Sequence, residues 1–143
     1  MLGQVNVLFD TLQSHYHVRY AADNIPYTRD ATQRIQLPAD VLSRNAPTAM
    51  CLETTAILAS AVERLGMRPY IIIAPGHAFL GVALGVGDGA PIEYWETSDL
   101  NGQSSDTAHA DGQIEYSRLR NQNQILRVID IQYERDHKIE PIE

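Results

Sequence analysis

Residues 70–84 read YIIIAPGHAFLGVAL, two apolar runs separated by a Pro-Gly pair, and this stretch decides the fold. It lies in a longer segment, residues 70–87, that contains no Asp, Glu, Lys or Arg. A membrane helix of about 20 apolar residues would not carry so many Pro and Gly residues in its middle. The runs are rich in Ile and Val, so they predict two buried strands, Tyr70 to Ala74 and His77 to Leu84, joined by a tight turn.

Further strand signals follow downstream. Ile92 to Thr97 predicts a third strand, connected to the second by a glycine-rich turn at residues 85–89, which makes the pair a hairpin. Leu126 to Ile131 predicts a fourth strand. Because the first three strands follow one another through short turns, we expect an antiparallel sheet.

Helical patterns dominate the first half of the chain. Apolar residues recur at helical spacing over Gln4 to His15 and over Cys51 to Leu65. Leu37 to Leu42 predicts a short helix with proline in its first turn. For the helix that starts at Cys51, Thr48 is the expected N-cap and Gly66 the expected stop.

The remaining segments have weaker patterns. Tyr20 to Gln36 is interpreted as a loop, Leu100 to Ala110 as a loop or frayed helix, Gln113 to Arg120 as a helix, and Tyr133 to Glu143 as a final turn or tail. Helices therefore come first and hairpin-connected strands follow. This order predicts a single α+β domain over residues 1–143, with the cysteine helix packed on an antiparallel sheet, rather than a doubly wound fold.

Composition excludes several classes of function. The chain has 143 residues and one cysteine, which excludes an internal disulfide and a zinc site built from several thiolates. Its net charge is −7 and no third of it is basic, so we expect no nucleic-acid contact. No leader segment or membrane span is apparent, and a lone thiol fits a reducing, cytoplasmic setting. We expect no cofactor, and the oligomeric state stays open.

Two histidines close in sequence raise the question of a metal site. His15 and His17 could join Asp23 or Asp30, but two residues apart on a helix they point to different faces. We interpret them as surface residues near a helix end and expect no metal.

The single cysteine stands at a position that favours reactivity. Cys51 opens the best-patterned helix of the chain, and the positive end of a helix lowers the pKa of a thiol, whose thiolate is the nucleophile. The free N–H groups of that first turn can also receive an oxyanion. The alternative interpretation is a small buried hydrophobic residue, which is common for a free cysteine.

A histidine and three carboxylates are available to activate that thiol. His77 opens the second strand, where it could act as the general base that a cysteine nucleophile needs, or be a plain core or turn residue. Side chains alternate along the third strand, so only one of Glu93 and Glu96 shares the histidine's side. The apolar face of that strand favours Glu96, with Asp99 as the second choice and Glu93 as the third. Both glutamates could instead face solvent.

The ordered pattern of these residues resembles the transglutaminase-like branch of the papain-like cysteine enzymes. The resemblance covers residues 37–99, which is 63 of 143 residues, with 26 residues from Cys51 to His77 and 19 from His77 to Glu96. This sequence departs from the family in having Glu for the usual Asp, Met50 before the nucleophile and Phe79 where Trp is frequent. The matching segments are PADVL at 38–42, CLETTAILA at 51–59, ERLGMRP at 63–69, GHAF at 76–79 and ET at 96–97.

The resemblance implies a transglutaminase-like or papain-like core that performs acyl transfer on amide bonds of a protein or peptide. Cys51 would attack the carbonyl, His77 would move the proton and Glu96 would orient the histidine. The backbone N–H of Cys51 would hold the oxyanion, with Asn45 as a second donor and Thr48 as its competitor. The acyl group would then pass to water or to an amine.

Two further expectations follow from the same resemblance. The C-terminal run is similar to tails on transglutaminase-like domains of larger bacterial proteins, so we expect a domain of a longer chain. The alternative to an enzyme is a catalytically inactive binding or regulatory module, because many folds keep an architecture while the site changes.

Overall fold

The computed structural model describes residues 1–21, 35–45 and 47–141. Five α-helices and one 3₁₀ helix lie in these ranges: α1 (Leu2–Ser14), α2 (Pro38–Leu42), α3 (Cys51–Arg64), the 3₁₀ helix (Thr97–Asn101), α4 (Ser105–Asn121) and α5 (Ile131–Asp136). The strands of the same ranges are β1 (Arg19–Tyr20), β2 (Thr48–Ala49), β3 (Arg68–Ala74), β4 (His77–Ala83), β5 (Ile92–Trp95) and β6 (Arg127–Asp130).

The main sheet is antiparallel and has the strand order β5-β4-β3-β6. Strands β3 and β4 form the predicted hairpin, in which Ala74 pairs with His77 and Ile72 with Phe79. The turn between them contains Gly76 at φ +66°, a backbone conformation that glycine adopts without strain. The predicted helices and antiparallel sheet are therefore confirmed, and the architecture is compatible with the α+β class.

The middle of the sheet, at β4, is buried on both faces, whereas β6 is exposed over its first two residues. Helices α1 and α3 cover one face, and α4 packs on the other side of β5. The first core contains Val5, Phe9, Leu12, Ile57, Leu58, Val62, Leu80, Val82 and Trp95. The second contains Ile72, Ala74, Phe79, Tyr94 and Leu119.

The end of α3 follows the predicted signal. Gly66 lies at φ +77°, its N–H bonds the carbonyl of Glu63 at 2.9 Å, and the N–H of Met67 bonds that of Val62 at 3.2 Å. This pair of bonds is a Schellman motif, which satisfies carbonyls that the helix itself leaves unpaired. The helix therefore stops where the glycine allows the chain to turn into β3.

The start of α3 differs from the prediction. Thr48 is not the N-cap, because it lies in β2, which pairs in parallel with β1 (Arg19 with Thr48, Tyr20 with Ala49). Met50 occupies the cap position instead. Tyr20, predicted to begin a loop, is therefore a strand residue, and most of that predicted loop, residues 22–34, lies outside the described residues.

Helix α4 begins earlier than its sequence pattern indicates. Residues 100–110 were expected to be a loop or frayed helix, but α4 starts at Ser105, where the Ser104 hydroxyl accepts the Thr107 N–H at 3.1 Å. The helix lies directly on the backbone of β5: a Cβ at Gly112 would come within 2.5 Å of the Tyr94 carbonyl. The close approach explains how a polar helix can pack here, because backbone rather than a stripe of large apolar side chains makes the contact.

The C-terminal part forms a last strand and a short helix. Strand β6 pairs with β3, and α5 follows at once, with the Asp130 carboxylate accepting the Tyr133 N–H at 3.3 Å. Arg135 of α5 bonds Glu63 of α3 at 2.8 Å, which ties this end to the main body. None of the helices in the described ranges has the length and apolar character needed to cross a bilayer.

Candidate active site

Cys51 is the first residue of α3, and its carbonyl is held by threonines. The hydroxyls of Thr55 and Thr54 donate to that carbonyl at 2.6 and 3.0 Å. The Thr55 hydroxyl also lies 3.0 Å from the hydroxyl of Thr97, the residue that follows Glu96. These contacts fix the cysteine backbone relative to the start of the 3₁₀ helix.

A buried carboxylate holds the chain that leads into Cys51. Glu53 is 2% exposed, and one of its oxygens accepts the Met50 N–H at 3.0 Å, so it caps the helix from the third position. The same carboxylate accepts the backbone N–H of Gln36 at 3.0 Å and its side-chain amide at 2.8 Å. The entry into α3 is thereby fixed on two sides.

His77 and Glu96 form a hydrogen-bonded pair, with 2.7 Å between Nε2 and Oε2. Because Leu80 pairs with Trp95, the next position along the ladder places Glu96 beside Phe79, on the face that Phe79 shares with His77. The His77 and Phe79 rings stack at 5.6 Å, as expected for side chains on one face. Glu96 itself lies just past the end of β5 rather than inside the strand.

The Glu96 side chain is held in place before it meets the histidine. Its Oε1 accepts the N–H of Ser98 at 3.1 Å and the Ser98 hydroxyl at 2.9 Å, so Glu96 is the N-cap of the 3₁₀ helix. Its backbone N–H bonds the carbonyl of Ala108 in α4 at 2.8 Å. The carboxylate is therefore oriented by groups on both sides, with Oε2 left for His77.

The third group at the histidine is the Cys51 thiol. Burial alone would lower the pKa of His77, but hydrogen bonds with Cys51 and Glu96, together with their charges, raise that pKa to about 10. Since Nε2 bonds Glu96, Nδ1 is the ring nitrogen left for the thiol. Cys51 and Glu96 are thus both partners of His77.

The two other carboxylates considered for His77 have different partners. Glu93 bonds His109 of α4, with 2.7 Å between Oε2 and Nε2. Asp99 faces Asp111: burial, the hydrogen bond and charge of Asp111, and the charge of Glu96 together raise the pKa of Asp99 to about 6. Its Oδ2 is buried and finds no donor among the described residues. Neither residue takes the place of Glu96.

Asn45 and Thr48, the predicted oxyanion donors, are both exposed. Neither is a named partner of the His77–Glu96 pair: Cys51 is the other hydrogen-bond partner of His77, and Ser98 donates to Glu96. A role for either residue at the oxyanion stays a prediction.

An open groove of about 410 Å³ runs past the histidine. His77 and Glu96 line it together with Ser98 and three residues of α4, Asp111, Ile114 and Glu115. The His77 side chain is 22% exposed, whereas Cys51 is only 5% exposed. The His77–Glu96 pair is therefore open to solvent in the described structure, whereas the thiol is nearly enclosed.

The described residues were also compared with the arrangement that a metal site requires. In residues 1–21, 35–45 and 47–141, no three His, Cys, Asp or Glu side chains are grouped as metal ligands would be. Asp23 and Asp30, considered with His15 and His17, lie outside those ranges.

Three residues of the site were missed at the level of sequence: Thr97, Ser98 and Tyr20. A serine two residues after a glutamate at a strand end is a capping pattern, and it could have indicated Ser98. Tyr20 gives no such local signal. Burial raises the pKa of Tyr20, and the charges of Cys51 and Glu96 raise it further.

Comparisons with known proteins identify no relative. No family model matches the chain, and no curated protein or solved structure is significantly similar to it. What the site can do is therefore argued from its own geometry.

Proposed function

We propose that this protein is a cysteine-nucleophile acyl-transfer enzyme that acts on amide bonds of a protein or peptide. The observation that carries the proposal is the histidine that bridges a carboxylate and the thiol, with Nε2 of His77 2.7 Å from Glu96 and Cys51 as its other partner. A nucleophile, a base and a group that orients the base are the parts that covalent catalysis needs.

Each residue has a definite part in the reaction. The proton of the Cys51 thiol resides on His77, and the thiolate attacks the carbonyl carbon while the N–H at the helix start receives the oxyanion. His77 then gives its proton to the departing amine. Glu96 keeps the ring oriented and stabilises its charged form, and a water or a second amine completes the transfer.

The fold offers support at a coarser level. A helix begins at the cysteine and packs on an antiparallel sheet, the histidine opens the second strand of the β3–β4 hairpin, and the acid directly follows β5. This order agrees with a transglutaminase-like or papain-like core, which we include in the proposal. A cytoplasmic setting, in keeping with the single thiol, is part of the same proposal.

One observation favours the alternative, a catalytically inactive binding or regulatory module. Cys51 is 5% exposed, which is ordinary for a cysteine that serves only as a small core residue. Its first helical turn is also well packed by threonines. The two functions differ in what they require of the thiol, because only the enzyme needs a reactive thiolate.

The experiment measures the rate at which iodoacetamide alkylates Cys51 at neutral pH, followed by peptide mass spectrometry. We expect faster labelling than for an unperturbed thiol, and a fall of about tenfold or more in His77→Ala or, if that variant folds poorly, His77→Gln. Turnover of p-nitrophenyl acetate should be lost in Cys51→Ala.

His109→Ala is the matched control, because His109 forms a pair of the same kind, also at 2.7 Å, with Glu93. Its labelling rate should equal that of the wild type. An ordinary thiol rate in all of these proteins would support the binding module and reject the enzyme.

A further inference from the structure

Strand β1 holds Tyr20 beside the candidate active site. The N–H of Arg19 bonds the Pro47 carbonyl at 3.0 Å and the N–H of Ala21 bonds the Ala49 carbonyl at 2.9 Å. The partner strand β2 ends two residues before Cys51. Strand β1 also packs against the 3₁₀ helix that follows Glu96. Its backbone therefore lies beside both the strand that leads into Cys51 and the 3₁₀ helix that follows Glu96.

The side chain of Tyr20 points to the inner side of β1. Arg19 is exposed, and its guanidinium donates to the carbonyls of Gln13 and Val18 on the outer side. Neighbouring residues of a strand face opposite ways, so Tyr20, which is partly buried, faces inward. Burial and the charges of Cys51 and Glu96 raise the pKa of Tyr20, which agrees with that orientation.

We propose that the Tyr20 hydroxyl is the side-chain donor to the oxyanion that forms when Cys51 attacks a carbonyl. The inference rests on the proposed function and gives Tyr20 the part first assigned to Asn45 or Thr48. Both of those side chains are exposed, whereas Tyr20 is partly buried and pairs with Ala49, two residues before the nucleophile. Tyrosine is among the side chains that supply such a hydrogen bond.

The chemistry of the step is balanced without a further reactant. The sulfur–carbon bond forms as the carbonyl π pair moves to oxygen, and the new oxyanion accepts hydrogen bonds from the Tyr20 O–H and the Cys51 N–H. When the pair returns, the bond to the leaving group breaks, and an amine leaving group takes its proton from His77. Burial and the neighbouring charges raise the pKa of Tyr20, so the phenol stays protonated and remains a donor at neutral pH.

The test compares two reactions of the same thiol in Tyr20→Phe. Acylation by p-nitrophenyl acetate passes through an oxyanion, whereas alkylation by iodoacetamide does not. Loss of one oxyanion donor costs up to about 10²–10³ in rate, so we expect acylation to fall at least about tenfold. Alkylation should stay within about twofold of the wild type, because the thiolate itself is unchanged.

Tyr16→Phe is the control, because Tyr16 is an exposed tyrosine in the turn after α1 and contacts His15 rather than the site. Both of its rates should match the wild type. If both rates are unchanged in Tyr20→Phe, or if both fall together, Tyr20 is not the oxyanion donor. If the wild-type thiol itself reacts no faster than an ordinary one, the proposed function fails first, and this inference fails with it.

Discussion

Among the single residues, His77 has a pKa that depends on two neighbours, a carboxylate and a thiol. Glu96 bonds Nε2 at 2.7 Å, and Cys51 supplies the other hydrogen bond, which together outweigh the effect of burial and raise the pKa of His77 to about 10. The histidine is therefore charged at neutral pH. A thiolate beside it would be stabilised by that charge, as a nucleophile of this class requires.

Replacing Glu96 by Gln should lower the pKa of His77, because the substitution removes the negative charge and the charge-assisted hydrogen bond. The measurement is an NMR titration of the imidazole, assigned with a His77 variant. In the wild type the raised pKa stabilises the fold fully below pH about 6.5, and the gain is lost as pH rises through about 10. The free energy of unfolding should therefore fall between pH 7 and 10 more steeply in the wild type than in Glu96→Gln.

Glu93→Gln is the matched control for that titration. It removes a carboxylate that bonds the other paired histidine, His109, and leaves the Glu96 contact intact. An unchanged His77 titration in Glu96→Gln would contradict the assignment of Glu96 as its orienting group.

At the scale of elements, α4 determines where Glu96 stands. Its Ala108 carbonyl accepts the Glu96 N–H at 2.8 Å, and its Gln113 side chain accepts the Tyr94 N–H at 2.7 Å. Gly112 lies between these two contacts and brings the helix onto the strand. The position of the acid thus depends on how closely a helix and a strand approach each other.

Gly112→Ala should destabilise the protein by about 1–3 kcal/mol, because the added Cβ would meet backbone atoms of Tyr94 and Trp95 at 2.5–2.6 Å. Urea denaturation gives the free energy of unfolding. The added Cβ should also displace Glu96, so alkylation of Cys51 should slow. Gly3→Ala is the control: nothing lies within 4 Å of its added Cβ, and we expect stability that is unchanged or higher by up to about 1 kcal/mol. Equal stability of the two variants would show that α4 can move away without cost.

The helices and strands differ in how well they could be predicted from the sequence. The β3–β4 hairpin and the end of α3 were predictable, because apolar runs, a Pro-Gly pair and Gly66 act locally. The first half of α4 was not, since this helix packs through Gly112 rather than through a stripe of large apolar residues. Strands of two residues, such as β1, carry no periodicity at all.

Some residues of the candidate site could likewise be predicted from the sequence, and others could not. Cys51, His77 and Glu96 could be selected from spacing and strand parity, and the structure places them in contact. Tyr20 could not, because its place depends on pairing with a strand 28 residues later in the chain. Asn45 was selected by sequence proximity to Cys51, which says little about where an exposed side chain in a turn will point.

For the molecule as a whole, the ionisation of Asp99 and of His77 should each lower the free energy of unfolding as pH rises. Asp99 has a pKa raised to about 6 by burial and by Asp111, and His77 has one raised to about 10. A raised pKa in the folded state means that the protonated form is favoured by folding, so stability decreases as each proton leaves. At low pH, stability decreases as Glu63 and Asp130 become protonated, because Arg135 and Arg68 lower the pKa values of these carboxyl groups in the folded state.

Asp99→Asn should remove one part of this pH dependence. The wild type should lose stability between pH 5 and 8, because Asp99 must ionise in a partly buried place beside another carboxylate. The variant keeps a neutral group there, so its free energy of unfolding should change less over the same interval, as measured by urea denaturation at both pH values. Asp40→Asn, at an exposed position in α2, should behave as the wild type does. A wild-type slope in Asp99→Asn would contradict the raised pKa of Asp99.

The contact of α4 with β5 also affects which edge of the sheet can accept an additional strand. Main-chain groups of Tyr94 and Glu96 that would recruit a foreign strand are already occupied by the helix. In the described part of the chain, the opposite edge of the main sheet is β6, a strand of four residues whose Arg127 and Val128 are exposed. We expect β-augmentation, by a peptide or during aggregation, to begin at that edge, three strands away from β5 and the candidate site.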